Sequence, residues 1–215
     1  LNFTFGVTDV KQNFNSNIFQ ILDNNSELSF NENVLNNNVD FNFSDAYLSF
    51  NYRFITGIFT MEPRFTINSY KTENTQLGNL ASDSYSDVRP DMRIFMKFKS
   101  SESLRFTYRA TTQFTDVNKL ALGYVFNNYN SFFQGNPALE AAKVYNYSLN
   151  YQSINIFTFT NVFSRLSYSK RSNSIQNQTL ISGINRVNTA VNSNFPRETY
   201  SASGRIDKRF KNFKA

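Results

Sequence analysis

The sequence contains no cysteine and no histidine. Those two absences together remove disulfides, thiol nucleophiles, imidazole bases and the usual zinc ligands. Glycine (7) and proline (4) are scarce for 215 residues, which argues against a soluble β-sandwich binding module punctuated by tight Gly/Pro turns. No apolar run is long enough to cross a bilayer as a helix, so any membrane residence has to be as a barrel. A secretory leader is not read at the start, because Leu1 to Val7 already alternates as a strand. No loop matches the EF-hand pattern, no serine has a histidine partner, and acid pairs such as Asp83 and Asp87 fall in polar stretches. Neither catalytic, metal nor cofactor chemistry is therefore expected, and the chain is not read as an enzyme. The net charge of +6 is spread singly along the chain, with only Lys170-Arg171 and Lys208-Arg209 adjacent, so nucleic acid is not expected as a partner.

What is abundant is aromatic and polar at once: 24 Phe and 12 Tyr in a chain of mean hydropathy -0.46. That combination suits strands with one apolar and one wet face. Asp91 to Thr115 shows it best. Met92, Ile94, Met96 and Phe98 alternate with Arg93, Lys97 and Lys99, and after a polar turn at Ser100–Ser103 the pattern repeats. Leu104, Phe106, Tyr108, Ala110, Thr112 and Phe114 share one face, opposite Arg105, Thr107, Arg109, Thr111 and Gln113. Side chains alternate across a strand with period two, so the segment is a two-faced hairpin.

Similar runs occur along the chain. Leu1 to Val7 leads into a long Asn/Ser-rich loop over 10–38 with room for a short extra strand. Val39, Phe41 and Phe43 are out of phase with Leu48, Phe50, Tyr52 and Phe54, which predicts a bulge at Ser44–Ala46. Phe59 to Asn68 alternates again, with Pro63 marking an irregular pairing. Polar excursions follow over 69–87, 116–142 and 171–198, the last with a short hairpin around Leu180, Ile181, Ile184 and Val187. Strands at Tyr145–Gln152, Phe157–Tyr168 and Tyr200–Phe210 complete the set, with a phase slip expected in the second. Tight turns near Thr56, Ser101 and Ile154 alternate with the long excursions. About eight strands of ~9–11 residues or more, with short turns on one side and long loops on the other, predict part of an antiparallel transmembrane β-barrel.

At Gly135-Asn136-Pro137-Ala138-Leu139-Glu140, followed by Tyr145-Asn146-Tyr147-Ser148-Leu149-Asn150-Tyr151, the chain resembles the barrels of TonB-dependent receptors. It is closest to large members with an N-terminal carboxypeptidase-regulatory-like domain. Ser103-Leu104-Arg105-Phe106-Thr107-Tyr108-Arg109 resembles one of their strands, and the likeness extends over about Val88 to Asn173. The resemblance implies a 22-stranded, plugged barrel in the bacterial outer membrane that imports bulky nutrients with energy passed through TonB. A surface-exposed lipoprotein is then a plausible partner. The chain departs from the pattern in having no plug, no TonB box and too few strands, so residues 1–215 are expected to be one internal part of a single barrel domain. The alternative of the same ancestry is a structural or assembly subunit in a multiprotein outer-membrane complex.

Two sets of candidate site residues follow. Arg93, Lys97, Arg105 and Arg109 belong to a wet face that also carries Arg53, Glu62, Arg64, Arg205 and Arg209. They read either as a basic lumen for anionic solutes or a plug, or as ordinary interior charge paired across strands, as Glu62 beside Arg64 suggests. Tyr124, Phe126, Tyr129, Phe132 and Phe133 form an aromatic loop that binds a substrate or partner, or packs into the barrel mouth. Tyr52, Phe54, Tyr70, Phe98, Tyr145 and Tyr151 are candidates for interfacial girdles. Met92, Phe98, Phe106 and Phe114 are assigned to lipid. Phe106→Arg is expected to cost ~2–4 kcal/mol near mid-bilayer, measured by denaturant unfolding in lipid vesicles, whereas Thr107→Arg should be mild.

Overall fold

The computed structural model describes residues 1–30 and 34–210. Its elements in chain order are β1 (Asn2–Ser16), β2 (Phe19–Ile21), β3 (Glu27–Ser29), β4 (Asn37–Asn51), β5 (Phe54–Thr56), β6 (Phe59–Gln76), β7 (Asn79–Lys99) and β8 (Glu102–Gln113). A 3-10 turn at Val117–Leu120 follows, then β9 (Tyr124–Asn128), β10 (Ser131–Gln134), β11 (Ala142–Asn155), β12 (Thr160–Ser172), β13 (Ile175–Ser182), β14 (Asn185–Asn192) and β15 (Arg197–Lys208). Eight long strands form one antiparallel meander, β1-β4-β6-β7-β8-β11-β12-β15, with β5 added beside β6. The sheet does not close on itself: β1 and β15 each leave one edge unpaired among the described residues. A smaller sheet, β13-β14-β10-β9, and the β2-β3 hairpin stand in the loops at one end.

The connections separate by end. Residues 52–58, 100–101 and 156–159 make the short turns, and 17–36, 114–141 and 173–196 make the long loops. Part of the first of these loops, residues 31–33, lies outside the described residues. The predicted excursion over 69–87 is not a loop. There β6 and β7 continue as a paired ladder to Gln76↔Asn79, closed by Leu77 and Gly78 with φ 51° and 79°. Two successive positive φ values are what a two-residue hairpin turn needs to match strand twist. The segment escapes a reading by hydropathy because both of its faces are largely polar.

Cross-strand partners point to the same side of a sheet, so the register assigns the faces. Phe5, Leu48, Ile67 and Val88 are partners across β1, β4, β6 and β7, and Phe106, Leu149, Leu166 and Ala202 across β8, β11, β12 and β15. Among the described residues no layer covers this face: Phe5 is 72% exposed, and Ile67, Val88 and Leu166 are exposed as well. The opposite face carries Thr66, Arg93, Thr107, Ser148 and Ser167.

Toward the long-loop end the pattern reverses. Val7, Ala46, Ser69 and Ser86 form the last weakly polar row on the exposed face; beyond it come Asp9, Ser44, Lys71 and Ser84, then Lys11, Asn42, Glu73 and Ser82. Lys71 sits 2.6 Å from Glu73, and its hydrogen bond and charge hold the Glu73 carboxyl below the usual range. The apolar side chains meanwhile move to the other face. Val39 and Tyr70 are 0% and 2% exposed, and Phe41, Leu120 and Ala121 are buried too. The predicted bulge at Ser44–Ala46 is therefore absent: β4 pairs with β6 from Val39 to Asn51 without a register shift. The change in apolar phase along β4 records a change of surroundings and not a kink.

Three further expectations are corrected. Pro63 causes no irregularity in the β6-β7 ladder. Its carbonyl accepts from Tyr52 N at 3.1 Å, and a strand residue's N and O point to the same side, so its missing N–H falls where β4 has already ended. β12 shows no phase slip, because Phe157 and Phe159 lie in the turn before it, where Asn155 Oδ1 accepts from Phe157 N and Thr158 N, both at 3.0 Å. Phe114 does not share the face of Phe106. The β7-β8 ladder ends at Asp91↔Arg109, and past that point the Phe114 ring turns in to lie 4.5 Å from Phe43 and 5.1 Å from Tyr70. Tyr85 completes the cluster at 4.9 Å from Tyr70, and burial pushes its phenol pKa up. Phe114→Ala is expected to destabilise the folded protein by about 2–4 kcal/mol, read from denaturant midpoints; a side chain standing in lipid would lose much less.

Candidate functional site

The polar face of the large sheet is built by alternate residues of every long strand, and its charges are paired mainly between strands. Glu62 on β6 is held by Arg93 of β7 at 3.0 Å and by Arg53 at 3.4 Å, not by Arg64 as the sequence suggests. Arg109 of β8 meets Asp91 of β7 at 2.9 Å. Asn68, 0% exposed, donates to both carboxylate oxygens of Asp45 at 2.8 and 3.0 Å and accepts from Arg89 Nε at 2.8 Å. Asp87 accepts from Thr112 at 2.6 Å and Lys143 at 3.2 Å, so β7 is tied to β8 and β11 above the point where the β7-β8 ladder ends. Exposed ion pairs of this kind each contribute only ~0–1 kcal/mol; their effect is to fix which strand stands beside which.

The structure therefore places Arg93, Arg105 and Arg109 on one face, together with Lys97, opposite Ser103. Arg93 and Arg109 have carboxylate partners, whereas Arg105 lies over the Phe95 ring at 5.6 Å. Arg165 and Arg205 join this face from β12 and β15.

At the long-loop end, the 114–141 segment folds over the mouth of the sheet. Gln76 is the anchor from β6: its amide donates to Leu120 O at 2.9 Å and accepts from Leu122 N at 3.0 Å. Asn37 at the start of β4 accepts from Gly123 N at 2.7 Å and donates to Ser16 at 2.9 Å. Gly135-Asn136-Pro137 is the knot. Gly135 N donates to Ala121 O at 2.9 Å and Asn136 N to Lys119 O at 2.7 Å, while the Asn136 side chain reaches Ala190 O at 3.2 Å. Glu140 and Asn192 bond reciprocally at 2.9 and 3.0 Å. Gly135 is needed for close approach and not for positive φ, since a Cβ there would lie 2.5 Å from Lys119 O and 2.6 Å from Ala121 N and O.

The five aromatic loop residues separate. Phe132 packs edge-on against Tyr124 at 6.0 Å and Phe126 at 5.0 Å. Phe133 lies on the other face of β10, whose parallel pairing with β14 sets it opposite Asn188. Tyr129, 79% exposed, stands alone at the tip. Three of the five thus serve the loop's own packing. The girdle candidates also change: Tyr70 is buried inside, and the aligned tyrosines are Tyr108, Tyr147, Tyr168 and Tyr200, register partners on four adjacent strands with successive ring centroids 4.8, 5.6 and 4.8 Å apart. Just beyond this row, Lys170 and Glu198 pair at 3.9 Å. Alternation alone does not show such a row, because it depends on the register of three strand pairs. Among the described residues, no group of three or more Asp or Glu side chains is placed to hold a metal ion.

No family model and no curated protein matches the chain. Solved structures do. The chain superposes over 97% of its length on the copper transporter OprC, with 10% identity and a TM-score of 0.63, covering 33% of that chain. It superposes over 97% on the hemophore receptor HasR of Serratia marcescens, with 10% identity and a TM-score of 0.57, covering 40% of that chain. For the FrpB iron transporter of Neisseria meningitidis the values are 80% of this chain, 12% identity, a TM-score of 0.53 and 24% of that chain. The chain thus spans a quarter to two-fifths of their lengths. At these identities the likeness is one of fold: an antiparallel meander consistent with part of a larger β-barrel. Gly135→Ala is expected to free the loop knot, costing about 1–3 kcal/mol and showing as faster amide exchange at Ala121 and Asn136 with the long strands still protected.

Proposed function

We propose that this chain is part of the wall of a large outer-membrane β-barrel, in the manner of a TonB-dependent receptor, that imports a bulky substrate. The observation carrying the reading is the polarity reversal along β4. Below Ala46 the apolar residues Leu48 and Phe50 point outward; above it Val39, Phe41 and Phe43 point inward and the outer face is polar. Cover by the folded loop accounts for the inward half, but a strand wholly in water would not leave Leu48 and its partner Ile67 exposed on an uncovered face. A strand leaving a hydrocarbon belt for water reverses at the boundary.

The edge of that belt also slopes across the sheet as a barrel requires. On the first four long strands it follows the row ending at Ser86; on the last four it follows the tyrosine row, which meets β7 at Met92. Six residues at ~3.3 Å, over the four inter-strand steps of ~4.8 Å between the middles of the two groups, correspond to a strand tilt of ~45°, at the upper end of the ~35–45° typical of barrels. The tyrosine row then sits where amphipathic rings favour the membrane interface.

On this reading the apolar face meets outer-membrane lipid, the arginine-bearing face lines the lumen, the turns at 52–58, 100–101 and 156–159 are periplasmic, and the long loops together with the Leu77-Gly78 turn are extracellular. Residues 1–215 are one stretch of a barrel domain whose other strands, and a plug that couples to TonB, come from elsewhere in a longer chain. A surface lipoprotein is the partner suited to the extracellular loops. The test begins with the full-length protein purified in detergent. Heat-modifiable gel migration and cofractionation with outer membranes are expected, and a monodisperse soluble monomer without detergent would overturn the barrel. Uptake lost on removing TonB supports import; an intact outer-membrane complex with uptake indifferent to TonB points to the scaffold role.

A further inference from the structure

β7 has two strand neighbours toward the short turns and only one toward the long loops. Lys97 N donates to Ile58 O on the β6 side at 2.9 Å, and the β6-β7 ladder runs without a register shift to Gln76↔Asn79. Backbone groups alternate sides along a strand, so odd residues of β7 bond to β6 and even residues face β8. Pro90 is the first even residue past Asp91↔Arg109, where the β7-β8 ladder ends, and it has no N–H to give. Beyond it Leu80, Ser82, Ser84 and Ser86 turn their backbone groups into a seam between the two strands, and among the described residues no strand pairs with that edge. The Ser84 N–H is capped by Asp83 Oδ1 at 2.8 Å.

The seam leads into a cavity of about 170 Å³, lined by Thr72, Asn74 and Asp83 from the β6-β7 hairpin and by Phe114, Thr115 and Leu139 from the 114–141 loop. The loop lies on the inner side of the cavity, and the exposed lining residues Ala81, Ser82 and Asp83 put its mouth on the free edge of β7. A plug inside the barrel would therefore not fill it. Both flanking strands belong to the described sheet, so the seam is a property of this wall. Two buried hydroxyls beside it have no hydrogen-bond partner among the described residues: Thr115 Oγ1 in the cavity wall, and Tyr85 OH, two residues along β7 from Asp83 on the same face. Buried polar groups without a partner are few in folded proteins, and each marks a place for one.

We propose that the seam takes an extended peptide strand, which pairs with β7 over residues 82–86 and sets one apolar side chain in the cavity. A strand added to a free edge gains affinity from main-chain hydrogen bonds and selectivity from pockets for alternate side chains. Register partners share a face, so side chains of the added strand opposite Ala81 and Asp83 fall on the inner side, where the cavity lies. Thr115 then meets the polar backbone of the peptide. A lipid tail would fill the cavity but leave the β7 edge and the two hydroxyls unpaired. The site stands at the long-loop end, beyond the apolar belt of the barrel reading, and it needs no import activity.

The experiment uses the full-length protein in detergent micelles, first checked for heat-modifiable migration. A dye-labelled, end-blocked heptapeptide alternating threonine and leucine is titrated by fluorescence anisotropy, with empty micelles as the blank. Saturable binding is expected, with slowed amide exchange at Ser82 and Ser86, and the same peptide with proline at its centre should bind about tenfold more weakly or worse. Ser82→Pro removes a seam-facing N–H and spares the β6 ladder, and Ala141→Phe fills the cavity; each should weaken binding about tenfold or more. Thr115→Val should weaken it about threefold with melting unchanged or raised, because the hydroxyl it removes has no partner in the free protein. Arg186→Gln, in the small sheet, should bind like the wild type. No saturable binding, equal binding of the proline peptide, or binding indifferent to Ser82→Pro overturns the site, while heat-modifiable migration keeps the barrel standing. Loss of that migration overturns the barrel, and the peptide titration still decides the seam. Unchanged melting of Ser82→Pro separates lost binding from lost folding.

Discussion

The register between neighbouring strands is the constraint from which the rest of this structure follows. Because side chains alternate with a period of two, a slip of one residue anywhere in the meander would carry a whole strand's apolar set to the other face. Six of the seven junctions between long strands are held by continuous ladders, and only β7-β8 ends early, at Asp91↔Arg109. At that junction the side chains take over: Asp87 reaches across to Thr112 and Lys143. The interior ion pairs are weak individually, yet each fits only one alignment, so they specify more than they stabilise.

Two kinds of core result from one sheet. Along the short-turn half, large apolar side chains such as Phe5 and Ile67 are exposed, and the inner face is a lattice of amides, hydroxyls and paired charges. In the long-loop half, Val39, Phe41, Tyr70, Leu120 and Ala121 are buried under the folded loop. Folding in water would favour the second arrangement throughout. On the barrel reading the first persists because the surroundings outside are themselves apolar, which accounts for the apolar residues of β4 appearing out of phase in sequence though its backbone is regular.

The strands and their parity were legible from Met92 to Thr111 and from Tyr145 to Gln152, because there one face is consistently apolar. Parity could not say which face is inside once both neighbours are polar, so the β6-β7 extension beyond Ser69 passed for a loop. Phe114 was misplaced for a related reason: alternation carries no information on where a neighbouring ladder stops. Gly135-Asn136-Pro137 was visible as a mark of resemblance, but its work depends on Lys119, Ala121 and Ala190, residues that sequence distance separates and the fold brings together. Gln76 and Asn37 offered no signal at all, being two more amides in a chain full of them.

The edges that β1 and β15 leave unpaired among the described residues bear on how a wall of the proposed kind is made. Each presents a row of backbone donors and acceptors, and in hydrocarbon every group left without a partner costs several kcal/mol. On the barrel reading proposed above, such a sheet would not enter a bilayer ahead of the strands that flank it. Insertion and closure would then be coupled, with the two edges shielded from lipid until the last seam is joined.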